Sequence, residues 1–357
     1  MIREDLKVLL ISPLPPPAGG IASWTTQYLN WSEKNALEVE IVNTAVIGIR
    51  AQKINNRTRI LDEIRRTYNI LDDLKVKIDR LKPQIVHLNT PCGKLGIIRD
   101  YLCARRAKKS GVKLFVHYRC NIRDQVKKSK VSNFFLRKLA KIADVNLVLN
   151  DSSREYLENL ANCYGIKIAN FIDENSIIMD SKRIDVRIRT VSFIGHVQKS
   201  KGVIEIIHAA KMLPEITFKL AGPVAAEIKE MDTPENLQFL DAILKNEVRD
   251  LLMESDVFLL PSYTEGFSNA LLEAMAMGLP IITTPVGANE DMIEHMGGLI
   301  VEVGDSTNII KAITELSDYD KRLNMSQWNL DKVKNFYTTD KVMHELVFHY
   351  LKSLTNR

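Results

Sequence analysis

The chain has 357 residues, is 45% hydrophobic and 26% charged, and carries a formal net charge of +5. A globular protein of about two domains has this composition, which excludes collagen-like and disordered chains. No apolar run approaches the roughly 18 residues of a membrane-spanning helix. The four cysteines have neither disulfide nor metal-ligand spacing, so we expect a reduced, cytoplasmic setting and no metal site.

The charge is unevenly distributed along the chain. Residues 1–150 contain 28 Lys and Arg against 13 Asp and Glu, whereas residues 151–357 contain 21 against 31. A basic half beside an acidic half suggests that the basic half contacts an anionic surface or partner. Drift in charge between two similar halves is the alternative.

Short β-rich runs alternate with helical patterns along the first half. The opening "MIREDLKVLLISP" has early acidic residues and a short apolar run, which indicate a strand and not a signal peptide. The predicted strands are Lys7–Ser12, Gln84–Asn89, Lys113–Tyr118 and Val145–Asn150. The predicted helices include Thr58–Leu81 and Leu95–Lys109.

The same alternation starts afresh in the second half. The predicted strands are Thr190–Gly195, Thr217–Gly222, Leu237–Asp241, Val257–Ser262, Pro280–Val286 and Gly298–Glu302. The predicted helices are Gly202–Met212, Glu247–Ser255, Ser268–Met277, Asn308–Leu316 and an amphipathic tail helix over Asp340–Leu354.

This alternation predicts an α/β protein with two doubly wound parallel sheets. We expect a first domain over 1–170, a second over 171–339 and a terminal helix over 340–357, with the boundary in the polar segment 169–183. Ligands of such sheets bind beyond the carboxyl ends of the strands. Two such domains facing each other would form a cleft lined by these ends.

Two loops at strand ends have features of phosphate-binding loops. Gly19 and Gly20 in "PPPAGGIASW" stand at a helix start, and "GHVQKSKG" contains Gly195 at a strand end and Lys201 just before a helix. Paired glycines let a backbone approach a ligand closely, and a lysine before a helix can meet a phosphate. An ordinary loop and a solvated lysine are the alternatives. Neither loop is the G-x-G-x-x-G fingerprint, so a Rossmann dehydrogenase is not supported.

The segment "EGFSNALLE" gives the strongest indication of a site. With Ser268 as N-cap, the N–H groups of Asn269, Ala270 and Leu271 would point at an anion. Glu273 is a charge on a largely apolar helix and needs a partner. A ribose diol or a salt bridge to a nearby Lys or Arg would supply one.

The segment Arg123–Asp144 combines basic and aromatic residues, and His87 and His117 end neighbouring strands. An interfacial helix on anionic lipid, a nucleic-acid contact and an ordinary amphipathic helix all fit the segment. We expect an anionic membrane surface, or an anionic acceptor molecule bound there, to contact Lys127, Lys128, Lys130, Phe134, Phe135, Arg137 and Lys138. A lone histidine is most often structural.

These motifs together resemble the retaining glycosyltransferases of family 4, which have the GT-B fold of two Rossmann-like domains. The resemblance covers nearly the whole chain. It is most specific in "FLLPSYTEGFSNALLEAMAMGLPIITTPVGANEDMI", with "FIGHVQKSKG", "KLAGP" and "IANFID" in the expected order. The first half matches through the Gly-Gly loop and the histidine of "FVHYR".

The resemblance implies a role for each matching residue. Glu273 would hold the ribose, Glu265 would bind the hydroxyls of the transferred sugar near the reacting centre, and His117 would contact that sugar. Lys201 and the backbone of Gly266, Phe267 and Ser268 would bind the diphosphate, and Gly20 would let its loop close on the donor. The remaining donor-binding positions are Gly195, His196, Gly222 and Asn269. No metal or other cofactor is expected, and the tail helix would pack on the first domain.

One position departs from the family pattern, which usually has Gly-Arg where this chain has Gly195-His196. Arginine is a permanent bidentate clamp for phosphate, whereas histidine is charged only in part near neutral pH. We expect weaker diphosphate contact there, or phosphate binding that depends on pH.

The resemblance implies a retaining hexosyltransferase that moves a sugar from a nucleotide-diphosphate sugar, with UDP favoured, to a lipid-linked or growing glycan. Capsule or lipopolysaccharide biosynthesis at the inner face of the cytoplasmic membrane would be its setting, without a nucleic-acid partner. A nucleotide-sugar epimerase of the same fold and a non-catalytic sugar-nucleotide or membrane-surface binding module are the alternatives.

Overall fold

The structure is a computed structural model that describes residues 6–16, 19–45, 58–178 and 184–355, with side chains from residue 62 onward in the third range. The chain divides into two compact units. Unit 1 comprises 1–170 and 339–357, and unit 2 comprises 171–338. The expected boundary segment 169–183 holds the first junction, and its last part, 179–183, lies outside the described residues.

The first part of the chain contains six strands and six helices among the described residues. In order they are β1 (Lys7–Ser12), α1 (Gly20–Lys34), β2 (Glu38–Asn43), α2 (Thr58–Leu81), β3 (Ile85–Thr90), α3 (Gly96–Lys109), β4 (Lys113–Tyr118), α4 (Ile122–Val126), α5 (Lys130–Ile142), β5 (Val145–Val148), α6 (Asp151–Ala161) and β6 (Gly165–Lys167).

The rest of the chain continues the alternation. It contains β7 (Thr190–Ile194), α7 (Val203–Met212), β8 (Thr217–Ala221), α8 (Ala226–Lys229), β9 (Leu237–Phe239), α9 (Lys245–Glu254), β10 (Val257–Leu260), α10 (Asn269–Ala276), β11 (Ile281–Thr283), α11 (Asn289–Ile293), β12 (Gly298–Ile300), α12 (Ser306–Glu315), α13 (Tyr319–Lys332) and α14 (Thr339–Thr355).

Unit 1 is a parallel sheet in the order β2-β1-β3-β4-β5-β6. Successive side chains of a strand point to opposite faces of the sheet. Leu114 and Val116 of β4 join the core under α2, α3 and α5. Phe115 points to the other face, where its ring meets Tyr350 of α14 at 4.9 Å between centroids. Helices therefore cover both faces, and α14 completes unit 1.

Unit 2 is a second parallel sheet, in the order β12-β11-β10-β7-β8-β9. Its central strands are fully buried, because Val257, Phe258 and Leu259 of β10 have no exposed surface. Such continuous apolar strands are typical of sheets with helices on both faces. The expectation of two doubly wound sheets is confirmed in both units.

The predicted boundaries are close to those of the structure, but several elements were not predicted, among them helix α13 and two strands. The strand β1, the strand β4 and the helix α2 coincide with their predicted ranges. The strands β2 and β6 were missed, since "EVEIVN" is a partly exposed edge strand with charges and "GIK" is three residues long. No helix in the described ranges is both long and apolar enough to cross a membrane.

Candidate functional site

The candidate donor site of unit 2 lies where its strand order reverses. The chain runs from β7 through β8 and β9 on one side and returns to β10 on the other side of β7. Ligands of open α/β sheets bind at this switch point, beyond the carboxyl ends of the strands. The loops that leave these two strands are residues 195–202 and 261–268, the two stretches that the sequence singled out.

Glycines hold these loops close together. A Cβ on Gly202 would collide with the carbonyl oxygen of Pro261, and one on Gly222 would collide with that of Gly195. Gly202 and Gly222 also have φ of 73° and 136°, which other residues rarely adopt. The amide of Tyr263 donates to the Ser200 carbonyl at 3.0 Å and ties the two loops. Gly222 therefore has a packing role beside the site.

Lys201 and Glu265 meet directly at the switch point. The Lys201 Nζ lies 2.6 Å from Glu265 Oε1, and both side chains are largely buried. Ser262 Oγ donates to the same carboxylate oxygen at 2.8 Å. The sequence predicted one residue on the diphosphate and the other on the sugar, and in this structure they form one ion pair.

The start of α10 has the predicted cap. Ser268 Oγ accepts from the Leu271 amide at 3.2 Å, so the N-cap assignment is confirmed. The Leu271 N–H is therefore used by the cap, and the expectation that it is free for a ligand was wrong. The side chain of Asn269 is exposed, while Gly266 and Phe267 are half-buried. The ring of Phe267 contacts that of Tyr337 at 5.6 Å between centroids.

Glu273 is a half-buried carboxylate of α10. It forms no hydrogen bond or ion pair with any described residue, and Lys245 is the charged group that acts on its pKa. Burial raises the pKa of Glu273 above its ordinary value, and Lys245 opposes this rise. The salt-bridge alternative for this residue is therefore not seen.

His196 follows β7 and is exposed. Its ring makes no hydrogen bond with any described residue. It stands in the same loop as Lys201, so a ligand at the switch point can reach it without breaking a protein contact.

Unit 1 has a switch point of its own, between β1 and β3. Asn89 at the end of β3 donates to Ser12 Oγ of β1 at 2.9 Å and joins the two strands. Helix α1 starts beside it, with Gly19 as N-cap and Gly20 as first residue, as the sequence predicted. Both glycines are exposed, and no side chain caps this helix start.

His117 at the end of β4 is fully buried and belongs to a cluster of rings from α1, β3, β4 and α14. Its ring meets Trp24 at 5.8 Å and His87 at 5.4 Å between centroids. Burial, then the positive charge of Arg119, holds the pKa of His117 well below its usual range. Burial likewise lowers the pKa of His87 to about 3, so both rings are neutral at physiological pH.

The sequence reasoning missed Arg119, which follows β4 directly. Its terminal nitrogens donate to His117 Nε2 at 3.2 Å and to Asn170 Oδ1 at 2.6 Å. Since a guanidinium can only donate, Nε2 of His117 accepts and the remaining proton lies on Nδ1. Nδ1 has no partner among the described residues. The one sequence feature that could have pointed to Arg119 is its place directly after the strand end, two residues after His117 in "VHYRC".

The basic segment after β4 is two helices and not one. Helix α4 ends at Val126, Lys127 and Lys128 lie in the turn, and Ser129 caps α5. Phe134 is 52% exposed, with Lys138 Nζ 4.6 Å from its ring centroid. Phe135 instead packs against the core and meets Tyr101, so its expected exposure was wrong. The expected basic residues, namely Lys127, Lys128, Lys130, Arg137 and Lys138, are exposed.

A groove lies beside this face, between α2 and α3. It has a volume of about 380 Å³. Its basic residues are Lys75, Arg105, Arg106 and Lys109, and apolar side chains and Asp72 complete the lining. None of the four cations forms an ion pair with a described residue, whereas the neighbouring Lys77 and Lys108 are paired with acids. Within the described ranges no cluster of acidic, His or Cys side chains could hold a metal ion.

Comparison with known proteins agrees with the fold. Residues 188–318 match the family model of glycosyl transferases group 1. The chain is 22% identical to the capsular polysaccharide biosynthesis glycosyltransferase CapM of Staphylococcus aureus, over 90% of this chain and 92% of the relative. It is 27% identical to the UDP-Gal:alpha-D-GlcNAc-diphosphoundecaprenol alpha-1,3-galactosyltransferase of Escherichia coli, over 46% of each chain. The structure of sucrose-phosphate synthase from Thermosynechococcus elongatus superposes with a TM-score of 0.79 at 14% identity, covering 99% of this chain and 100% of that one.

The two sheets and the matched segment define a glycosyltransferase with the GT-B fold. Residues 188–318 of this chain are similar to the group 1 glycosyl transferases, in agreement with the resemblance to family 4. The relatives support glycosyl transfer over the epimerase and the non-catalytic binding module.

Proposed function

We propose that this enzyme transfers a hexosyl group, with retention, from a UDP-sugar to a lipid-linked or growing glycan during synthesis of a cell-surface polysaccharide. The names of the relatives support the substrates: one acts in capsule synthesis, and another takes UDP-galactose and a diphosphoundecaprenol-linked sugar. These substrates fit the division of charge, because a lipid diphosphate is anionic and unit 1 holds the basic surface.

Glu273 is the observation that carries the proposal. Ionised carboxylates accept hydrogen bonds only, and a half-buried carboxylate without a partner is costly. A ribose diol offers two hydroxyl donors and removes that cost. Glu273 lies one turn into α10, whose start would be the anion site, so ribose and diphosphate would be bound by one helix.

The ion pair beside α10 gives the proposed chemistry. Lys201 and the dipole of α10 would stabilise the charge that develops on the leaving diphosphate, without a metal ion. Glu265 would exchange its bond from Lys201 for hydroxyls of the transferred sugar. The acceptor hydroxyl would attack from the face of the departing phosphate, which takes its proton, and the configuration is retained.

A thermal-shift panel tests the donor. Wild type is mixed with UDP-, GDP- and ADP-sugars, and the correct donor raises the melting temperature by mass action. Addition of acceptor and analysis of products then separates transfer from hydrolysis. No shift with any nucleotide sugar and no product would contradict the proposal.

The outer face of unit 1 is the proposed surface for the lipid-linked acceptor. The exposed cations near Phe134 and the unpaired cations of the α2–α3 groove would both meet anionic headgroups, at about 1 kcal/mol for each Lys or Arg near the surface. Phe134 would insert among the headgroups as an amphipathic anchor. The setting of this peripheral contact would be the inner face of the cytoplasmic membrane.

Flotation with phosphatidylcholine vesicles, with and without phosphatidylglycerol, tests that surface. Reversing Lys127, Lys128 and Lys130 to Glu should reduce partitioning onto the anionic vesicles by roughly 100-fold, from three lost contributions of about 1 kcal/mol each. The matched control reverses the exposed Lys211, Lys229 and Lys311 of unit 2. Equal loss in both triple variants would show a general charge effect and contradict the assigned surface.

A further inference from the structure

Arg119 differs from the buried arginines Arg99 and Arg322 in what surrounds its charge. Arg99 lies 2.7 Å from the carboxylate of Asp100. Arg322 donates to the carbonyl groups of Leu316, Asp185 and Val186. Arg119 has one neutral imidazole, one amide oxygen and the face of Trp24, 4.7 Å from its guanidinium carbon. No carboxylate among the described residues pairs with it.

The guanidinium has unused donors. Five N–H groups point outward from an arginine side chain, and two of them are used here. Nε is buried without a partner, and each terminal nitrogen keeps one N–H group. Arg119 is partly exposed as a residue.

Arg119 lies where a parallel sheet of this kind binds its ligands. It follows β4, beside the switch point of unit 1, and its neighbour His117 ends the same strand. Trp24, on which the guanidinium stacks, lies one turn into α1. The first turn of α1 has no acidic residue and no side-chain cap, so its dipole also favours an anion here.

Burial lowers the pKa of Arg119 to about 9, so the side chain is still charged at neutral pH. A buried charge is ordinarily paired, and one with only neutral partners costs folding free energy. The protein retains this cation at the carboxyl ends of the strands, where the sheet places its ligands.

We propose that Arg119 is a specificity-determining residue that binds a phosphoryl group of a transferase substrate. A guanidinium matches phosphate through parallel N–H groups, which an ammonium cannot offer. The inference rests on the proposed function, since that function supplies two phosphate-bearing substrates. These are the donor and a lipid-linked acceptor.

Kinetics of the Arg119→Gln variant show whether the donor or the acceptor supplies the phosphoryl group that Arg119 binds. The probes are a UDP-sugar, an N-acetylhexosamine linked to farnesyl diphosphate and the octyl glycoside of the same N-acetylhexosamine. If the acceptor phosphate binds Arg119, KM for the farnesyl acceptor rises about 10- to 100-fold and KM for the octyl glycoside stays within about twofold. If the donor phosphate binds there, KM for the UDP-sugar and Kd for UDP rise by that factor instead. Either result supports the phosphate contact.

Two further variants keep the test decisive. Arg119→Lys retains the charge but loses the parallel N–H groups of the guanidinium. The KM for the affected substrate should therefore lie between those of wild type and Arg119→Gln. Arg187→Gln removes an exposed arginine of unit 2, away from the proposed acceptor surface, and should leave every KM unchanged. Equal loss with both acceptors at an unchanged Kd for UDP, or no change in Arg119→Gln, would overturn the inference. Absence of product with wild-type protein would instead count against the proposed function.

Discussion

The switch points of the two units have opposite electrostatic character. In unit 2 a lysine and a glutamate are paired, and a second glutamate has no partner among the described residues. In unit 1 the guanidinium of Arg119 lies among aromatic rings and two histidines that burial keeps neutral. The same doubly wound sheet therefore supports a charged site and a mostly apolar one. The difference follows from the loops and strand-end residues and not from the topology, as expected when function resides in the site and not in the fold.

The most damaging change expected in unit 2 is Gly222→Val. A side chain there collides with the Gly195 carbonyl and demands a strained φ, which should cost roughly 3 kcal/mol or more. Chemical unfolding followed by circular dichroism would measure the loss, and activity should fall with it. Gly93→Ala is the control, because its Cβ meets nothing within 4 Å. Equal stability of both variants would contradict the packing role of Gly222.

Glu265→Ala tests whether the paired charges of unit 2 act in catalysis. Turnover should fall by about 10²- to 10³-fold, the usual cost of removing an electrostatic group at the reacting centre. UDP affinity should stay close to wild type, because Lys201 remains available for the diphosphate. Steady-state kinetics and calorimetry with UDP give both numbers. If Glu265→Ala turned over as fast as the control variant Glu230→Ala, the catalytic role of Glu265 would be refuted.

Glu273→Gln sharpens the contrast between a ligand-binding carboxylate and a structural one. Loss of the charged acceptor should weaken nucleotide binding by about 10- to 100-fold. The pKa of Glu273 is raised in the folded state. Between the ordinary pKa of glutamate and this raised pKa, the folded state therefore binds more protons than the unfolded state. Stability of the ligand-free protein therefore falls as pH rises through that window, and the glutamine variant should lose this dependence.

Thermal unfolding across pH 4 to 8 without ligand, and UDP binding at neutral pH, measure these two effects. Glu302→Gln, an exposed glutamate of unit 2, serves as control. A variant that binds UDP as wild type does would exclude the ribose contact.

The smallest expected effect is that of His196→Arg. A guanidinium beside Lys201 can bind phosphate through parallel N–H groups and should tighten UDP binding by about threefold to tenfold. His208→Arg adds the same charge at an exposed position of α7 and should leave UDP affinity unchanged. Equal UDP affinity of His196→Arg and wild type would show that this position does not contact the phosphate.

The start of α10 was predictable because its signal is local. Ser268 caps the amide of Leu271 three residues later, as expected. The glycines of the site act over longer distances in sequence, since Gly202 packs on Pro261 and Gly222 on Gly195. The ion pair of Lys201 with Glu265 joins residues far apart in sequence, so spacing could not reveal it. Arg119 was missed for the same reason, since Asn170 and Trp24 come from other elements. The exposure of Phe135 was misjudged because two adjacent phenylalanines on one helix can point to different surroundings.

The return of α14 to unit 1 has a consequence for biosynthesis. Tyr350 of α14 bonds His87 Nδ1 at 2.5 Å, and Asp340 accepts from the Trp31 indole at 2.6 Å, so one face of unit 1 is closed by the end of the chain. Unit 2 is continuous in sequence, and all of it leaves the ribosome before helix α14, which unit 1 needs to complete its fold. During translation unit 2 can thus complete its core first, while the ring cluster of unit 1 stays open to water. A nascent chain arrested before residue 339 would expose that apolar face to chaperones.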